Sequence, residues 1–392
     1  MGTGKAPQMT NIAPPGSGEA SSVSPRSFWL SLHARYQCRH SGVCCSSDWP
    51  IPLESVRMPT IVSAIERGDL PAPAEWIASE PGQPAEIAGV LARAAGRCVF
   101  HRTAGPRAGC AIQHAAGHDA LPSACQHFPR VCLIDARGVF VTLSHYCPTA
   151  ADLLFSHEGP IAIVEGPPAV RDGNVEGLDA RDSLPPLLTP TRLMDLEAYS
   201  AWERHMIAVL ADGRSSADGA LSVLAHQAAA LSAWRPGKGA LVGQIASLTE
   251  DRATTQVSLD WQEEKRRFDL ARTSVPPAID WSDLGIKCPE ALWEESAASG
   301  WLDSTTVIKR YLATHAFASW MAYQGSGLMS ILRRLQVALA VLRFEVLRLT
   351  ATERKPFVPD LLKEAIRQTD LLLVHLVDRD ELARRCRDRD SP

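Results

Sequence analysis

The sequence predicts an α+β protein, in which a small cysteine-rich domain carrying a β-hairpin is followed by an α-helical domain. Three observations predict it. Eight of the ten cysteines lie between Cys38 and Cys147, while Cys288 and Cys386 stand alone downstream. Two apolar runs, Val131-Cys132-Leu133-Ile134 and Val139-Phe140-Val141-Thr142-Leu143, flank Asp135-Ala136-Arg137-Gly138, the composition of strand, turn and strand. Beyond Thr191 apolar residues recur at three- and four-residue steps, the period of helices with one buried face.

Taken in order, residues 1–25 are rich in Pro, Gly, Ser and Thr, bury too little to offset ordering, and read as a disordered tail. Ser27 to Tyr36 leads into the first cysteines. Pro52 to Glu66 and Ala85 to Ala95 have helical spacing, separated by a Pro- and Gly-containing loop around Pro71 to Pro84. After the hairpin, residues 166–191 are rich in Pro, Gly and Asp and read as a connector between a first domain at 26–165 and a second at 192–392. Helices are expected over Leu193–Ala211, Ala220–Trp234, Val257–Thr273 and Thr305–Tyr323. A stripe of Leu332, Leu335, Leu339, Leu342, Val346 and Leu349 follows, with Arg333, Arg334, Gln336, Arg343 and Glu345 largely off it. A last helix runs from Pro359 to about Leu382, with Pro in its first turn.

Composition excludes several classes. Net charge is −4, so no global field draws the chain to nucleic acid or to an anionic membrane. The basic runs Lys265-Arg266-Arg267 and Arg384-Arg385 have acids beside them and read as solvated helix faces. The most apolar run, Leu335 to Leu342, contains Gln336 and is bracketed by Arg334 and Arg343, far short of the about 20 residues a membrane span needs. No apolar stretch follows Lys5 to make a secretory signal, so a cytoplasmic location is expected. In that reducing setting, clustered thiols point to metal ligation or redox chemistry rather than disulfides.

The cysteines come in four groups. The first is Tyr36-Gln37-Cys38-Arg39-His40-Ser41-Gly42-Val43-Cys44-Cys45, in which Gly42 permits the tight turn that lets thiols converge. Cys98-Val99-Phe100 and Cys110-Ala111-Ile112 form the second, Pro122-Ser123-Ala124-Cys125-Gln126-His127-Phe128-Pro129 the third, and Cys147-Pro148 the fourth. Soft thiolates at loop and strand ends suit zinc or an iron–sulfur cluster, whose positive charge takes the place of the thiol protons. Cys38, Cys44, Cys45, Cys98, Cys110, Cys125 and Cys147 are the candidate metal ligands. The competing reading is a set of small buried core residues.

These motifs, in this order from Tyr36 to Pro148, resemble the YkgJ-type cysteine-cluster family, described as a zinc- or iron-chelating domain and named for a CxxCxxCC motif. One position departs from it: Ser41 stands where the family has its second cysteine. A hydroxyl is a poor ligand for a soft metal, so a ligand is lost or comes from elsewhere, with Cys132, His40 and His127 as candidates. Trp49-Pro50-Ile51-Pro52-Leu53 and the long helical C-terminal half are also similar to the flagellin lysine N-methylases. That wider likeness implies protein-lysine methylation with S-adenosylmethionine as donor and flagellin as the protein substrate.

Seven histidines lie between His33 and His145, and His101, His114, His118 and His127 fall near cysteines in the sequence. Each reads first as a solvated or hydrogen-bonded side chain, and His118-Asp119 as a solvated turn. HExxH, a P-loop, a nucleophile elbow and the dinucleotide-binding glycine fingerprint are all missing, so no catalytic residue is assigned. Three classes therefore stand: a metal-binding protein, a protein-lysine methylase, and a structural zinc domain on a helical interaction module.

Overall fold

The computed structural model describes residues 26–47, 49–79, 82–103, 105, 109–169, 176–248, 259–276, 288–353 and 357–387. The tail expected at 1–25, the start of the helix expected from Val257, and 170–175 of the expected connector lie outside them.

Helices and strands together make an α+β fold. Its principal sheet has five strands in the order Ile163–Glu165, Ser27–Leu30, Gly138–Leu143, Arg130–Asp135 and Gly177–Asp179. The hairpin is antiparallel with Gly138 opposite Asp135 and Leu143 opposite Arg130. At its turn the Asp135 carboxylate accepts the Arg137 N–H at 2.8 Å, and Gly138 adopts φ +138°. A Cβ there would stand 2.7 Å from the Arg26 carbonyl oxygen, so the strand Ser27–Leu30 closes over a position that only glycine fills. Successive hairpin residues point to opposite faces, and both faces are covered. Leu133 and Phe140 join the core of the helical body; Cys132, Val139 and Val141 join a second core with Trp29, Cys147 and Ala150.

Two expectations near the cysteines are corrected. Pro52–Glu66 divides into a strand, Pro52–Glu54, and a helix, Met58–Glu66, with Pro59 in the first turn. Ala85–Ala95, expected as helix, is extended: Ile87–Leu91 is the centre of a three-stranded sheet, between Pro52–Glu54 and Ile77–Ala78. Its pairing is tight, since a Cβ at Gly89 would lie 2.6 Å from the Ala78 carbonyl oxygen. Pairing with distant short strands overrides the local period there. Within 166–191, Gly177–Asp179 adds an edge strand parallel to Arg130–Asp135, and Leu187–Thr189 pairs with Arg192–Leu193.

Helices Ala217–Leu231, Trp261–Arg272, Thr305–Ala316, Pro359–Asp370 and Arg379–Arg387 surround the 26-residue helix Leu328–Glu353, and Leu196–Ala211 packs outside them on Thr305–Ala316. Because neighbours pack on several sides of this helix, its off-stripe charges Arg343 and Glu345 are buried. Arg343 meets Asp218 at 2.6 Å and also Glu264, and Glu345 pairs with Arg348 at 2.7 Å. A buried guanidinium persists only where carboxylates compensate its lost hydration. The basic run Lys265-Arg266-Arg267 does pair with acids on its own helix, Lys265 with Asp269 at 3.3 Å and Arg266 with Glu263 at 2.6 Å. The segment expected as one helix from Pro359 to Leu382 is three: Pro359–Asp370, a π-helical turn Leu371–Leu376, and Arg379–Arg387. Among the described residues no helix is long and apolar enough to cross a membrane.

Candidate functional site

The cysteine lobe has its own core, built from Ile51, Leu53, Ile61, Leu91, Phe100 and Ile112 with Cys45 and Cys98 among them. Gly42, at φ +71°, turns the chain into the 3₁₀ turn Val43–Cys45. A Cβ on Gly42 would sit 2.3 Å from His101 Nε2, so conformation and space both demand glycine. Cys98 ends the short strand Arg97–Cys98. Cys110 pairs across strands with His101 and precedes the helix Ala111–Ala116. Cys125 lies on the helix Ser123–His127, whose first N–H, from Ser123, is accepted by Glu54 Oε1 at 3.1 Å.

Five of the seven candidate thiols come together. The Cys45 thiol hydrogen-bonds with Cys44 and Cys110, and Cys44 and Cys110 lie within electrostatic reach of Cys98 and Cys125. One S–H donates to one acceptor at a time, so Cys45 serves one of the two at any moment. Its hydrogen bonds to Cys110 and Cys44 push its own pKa up. The bond from Cys45 pulls Cys110 down to about 7 and lowers Cys44. Burial pushes Cys98 up to about 11 and raises Cys125 well above the ordinary thiol range.

Cys38 and Cys147 form a separate pair, bridged by Tyr36. The Tyr36 hydroxyl lies 3.6 Å from Cys147 Sγ and also hydrogen-bonds with Cys38. Cys147 caps the helix Pro148–Ser156, and burial raises its thiol against the N–H groups of Ala150 and Thr149. Cys38 is exposed and accepts the His40 N–H at 3.3 Å. Ser41 is exposed as well. Cys132 is 2% exposed on the covered face of the hairpin and belongs to neither thiol group. Of the histidines, His101 stands over Gly42 with a buried Nδ1 that has no partner, and His114 lies within reach of Cys110. His127 is half-buried and its pKa is lowered, first by burial. His118 meets Asp119 at 3.8 Å on the surface.

Among the described residues, no group of three or more His, Cys, Asp or Glu side chains is arranged to hold a metal ion. The five thiols gather in one small core. In donor chemistry the set fits a thiophilic metal: soft, free of disulfides, and drawn from four chain segments.

A second polar cluster lies where the cysteine lobe meets the helices, and nothing local in the sequence marks it. Asp370, 1% exposed, accepts four hydrogen bonds. Its Oδ2 takes the His145 N–H at 2.5 Å and His145 Nδ1–H at 2.9 Å; its Oδ1 takes the Tyr311 hydroxyl at 2.8 Å and His315 Nε2–H at 3.0 Å. With His145 Nδ1 protonated, its Nε2 accepts from His33 Nε2 at 3.1 Å, which leaves His33 Nδ1 as the unpartnered atom it is found to be. Burial alone would raise the Asp370 pKa, but His315 and His145 outweigh it and hold the carboxyl well below its usual range. Burial lowers the pKa of His33 and His315. Next to this network His375 bonds Ser144 Oγ at 2.7 Å and stacks on Trp49, with ring centroids 4.4 Å apart.

No family model, curated protein or solved structure matches the chain.

Proposed function

We propose that this protein binds a thiophilic metal centre, an iron–sulfur cluster or zinc, through the thiols of Cys44, Cys45, Cys98, Cys110 and Cys125. The observation that supports it is the meeting of five free thiols from four segments in one small core. Four thiolates satisfy either a tetrahedral zinc site or the cysteine ligation of a cluster. Thiols in excess of what one zinc needs favour the cluster. When bound, such a centre replaces the thiol protons and, if it contains iron, supplies electron transfer. The chain's own part is to hold the Gly42 turn against His101, to anchor the Cys125 helix on Glu54, and to keep water from Cys45 and Cys98. Cys38 and Cys147 fall outside this ligand set. Resemblance to the YkgJ-type family is consistent with the reading. The methylation implied by the wider likeness gains no residue from this site.

The test is full-length protein purified without oxygen, assayed for iron, sulfide and zinc. Brown protein with broad visible absorbance and stoichiometric sulfide supports the cluster; colourless protein with one zinc supports the structural-zinc form. Protein that is metal-free from cells supplied with both metals refutes the proposal.

A further inference from the structure

Between the hairpin and the helices lies a cavity of about 100 Å³ that the thiol site does not use. Val131 and Leu143 of the hairpin, Trp320, Arg334 of the long helix, Asp370 and Arg379 contribute to its wall. Two backbone irregularities border it: Ala318 at φ +54°, and the π-helical turn Leu371–Leu376. Both are conformations that a chain keeps where surrounding structure or a ligand demands them.

The charges on the wall are unbalanced. Arg334 Nη1 is shielded from solvent and has no hydrogen-bond partner, and its Nη2 only grazes the Leu373 carbonyl at 3.4 Å. Arg379 donates to the Val374 carbonyl at 2.8 Å and lies over the Trp320 ring at 3.9 Å. Among the described residues neither guanidinium makes an ion pair. Asp370, the carboxylate among the lining residues, bonds His145, Tyr311 and His315, and its charge also reaches Arg334, so the lining sets one carboxylate against two guanidiniums. Glu176 lies near Arg379, but burial holds its carboxyl up at about 7. Burial depresses both arginines, Arg379 to about 10. Two guanidiniums held out of water against one lining carboxylate leave positive charge undercompensated, and a bound anion removes that cost.

We propose that this cavity binds a small aliphatic monocarboxylate, its carboxylate held by Arg334 and Arg379 and its tail against Val131, Leu143 and Leu373. The choice of class follows from the walls. An inorganic oxyanion is polar on every side and would turn oxygens toward these apolar side chains. Water fits the volume, about three molecules at roughly 30 Å³ each, but leaves the charge uncompensated. A short carboxylate matches both ends of the cavity, and arginine's paired N–H groups match a carboxylate's two oxygens.

The test uses the full chain and three probes: butyrate, its neutral isostere butyramide, and inorganic phosphate. Binding is followed by calorimetry and by the Trp320 indole N–H resonance, assigned with Trp320→Phe; this N–H bonds the Cys132 carbonyl at 3.1 Å. Butyrate is expected to bind at least about tenfold tighter than butyramide and phosphate, and Arg334→Gln or Arg379→Gln to weaken it by about tenfold or more. Butyramide or phosphate binding as tightly as butyrate overturns the assignment. So does an absence of saturable binding, or binding that leaves the Trp320 signal unmoved. If both arginine variants misfold, the three-probe comparison on the unaltered protein decides alone.

Discussion

Replacing Asp370 with asparagine tests whether the buried network at the lobe junction carries stability. The carboxylate accepts four hydrogen bonds, two on each oxygen. An amide keeps one oxygen and turns an NH₂ toward two of the four donors. If its oxygen stays on Tyr311 and His315, the NH₂ faces the His145 backbone N–H and Nδ1–H. The imidazole can change tautomer, passing its proton to Nε2 and displacing the His33 proton to Nδ1. The backbone N–H has no such recourse. One to two buried donors are then stranded at about 1–3 kcal/mol each, so the loss is about 2–4 kcal/mol, overlapping the about 3–5 kcal/mol for breaking a buried charged pair. Tyr311→Phe, which removes a single hydroxyl bond, is the internal standard at about 1 kcal/mol. Denaturant midpoints read in parallel by tryptophan fluorescence and helical circular dichroism give both values and test two-state behaviour. An Asp370→Asn protein no less stable than Tyr311→Phe refutes the reasoning.

The same histidines set a pH dependence. Burial lowers His33 and His315, and His375 to about 3, so the unfolded chain takes up protons below its ordinary histidine pKa while the folded one does not. The histidines' contribution to stability should be flat above pH about 6.5 and fall as pH drops below it, by up to about 1.4 kcal/mol per pH unit per histidine, opposed in part by the carboxyl of Glu176, whose raised pKa acts in the other sense; melting temperatures that hold steady from pH 7 to about pH 5 would contradict this. Cys132→Ala should leave metal content unchanged and cost about 1 kcal/mol of packing, whereas Cys44→Ser should empty the centre; equal metal loss in both variants would move Cys132 into the ligand set. Chelation should expose Trp49, stacked on His375, while helical circular dichroism persists, because metal binding to a site absent from the unfolded chain is itself folding free energy. Simultaneous loss of both signals would mean that the lobes unfold as one unit.

The hairpin was legible to within a residue at either end because β-branched residues flank a turn whose Asp135 and Gly138 do local work. Most helices were legible for the same local reason, their ends shifting by a few residues where capping decides, as at Asp195, whose side chain accepts from the Ala198 N–H. The helix expected over Thr305–Tyr323, however, ends at Ala316, and a separate one begins at Met321 beyond Ala318 at φ +54°. Ala85–Ala95 was misread because its strand is set by partners at Pro52–Glu54 and Ile77–Ala78, and no window of the chain contains all three. The candidate ligands could be read as a set but not partitioned. Spacing brings Cys38 nearer in sequence to Cys44 than Cys98 is, yet the Gly42 turn sends Cys38 toward Tyr36 and Cys147 instead. Tyr36, in the opening motif, was the residue whose chemistry could have suggested that split. Asp370 sits in an ordinary amphipathic helix, and its partners at His145 and Tyr311 lie 225 and 59 residues away, so only the fold reveals it.

Where the two lobes join, four consecutive residues face four different partners. Ser144 holds His375, His145 holds Asp370, Tyr146 packs into the cysteine core against Trp49 at 5.4 Å, and Cys147 meets Tyr36. The Tyr146 carbonyl also accepts Arg367 Nε at 3.1 Å. Three of these bonds end on one stretch of chain, Arg367 to His375, and that stretch carries Asp370 and Leu373 into the cavity wall. A change in the cysteine core that moved Tyr146 would therefore pull on the backbone of its neighbours before it reached any side chain of the cavity. Side chains at 144–147 differ in what they touch, but they share one four-residue run between a β-strand and a helix. For that reason the junction, rather than either core, is where the thiol site and the cavity can influence one another.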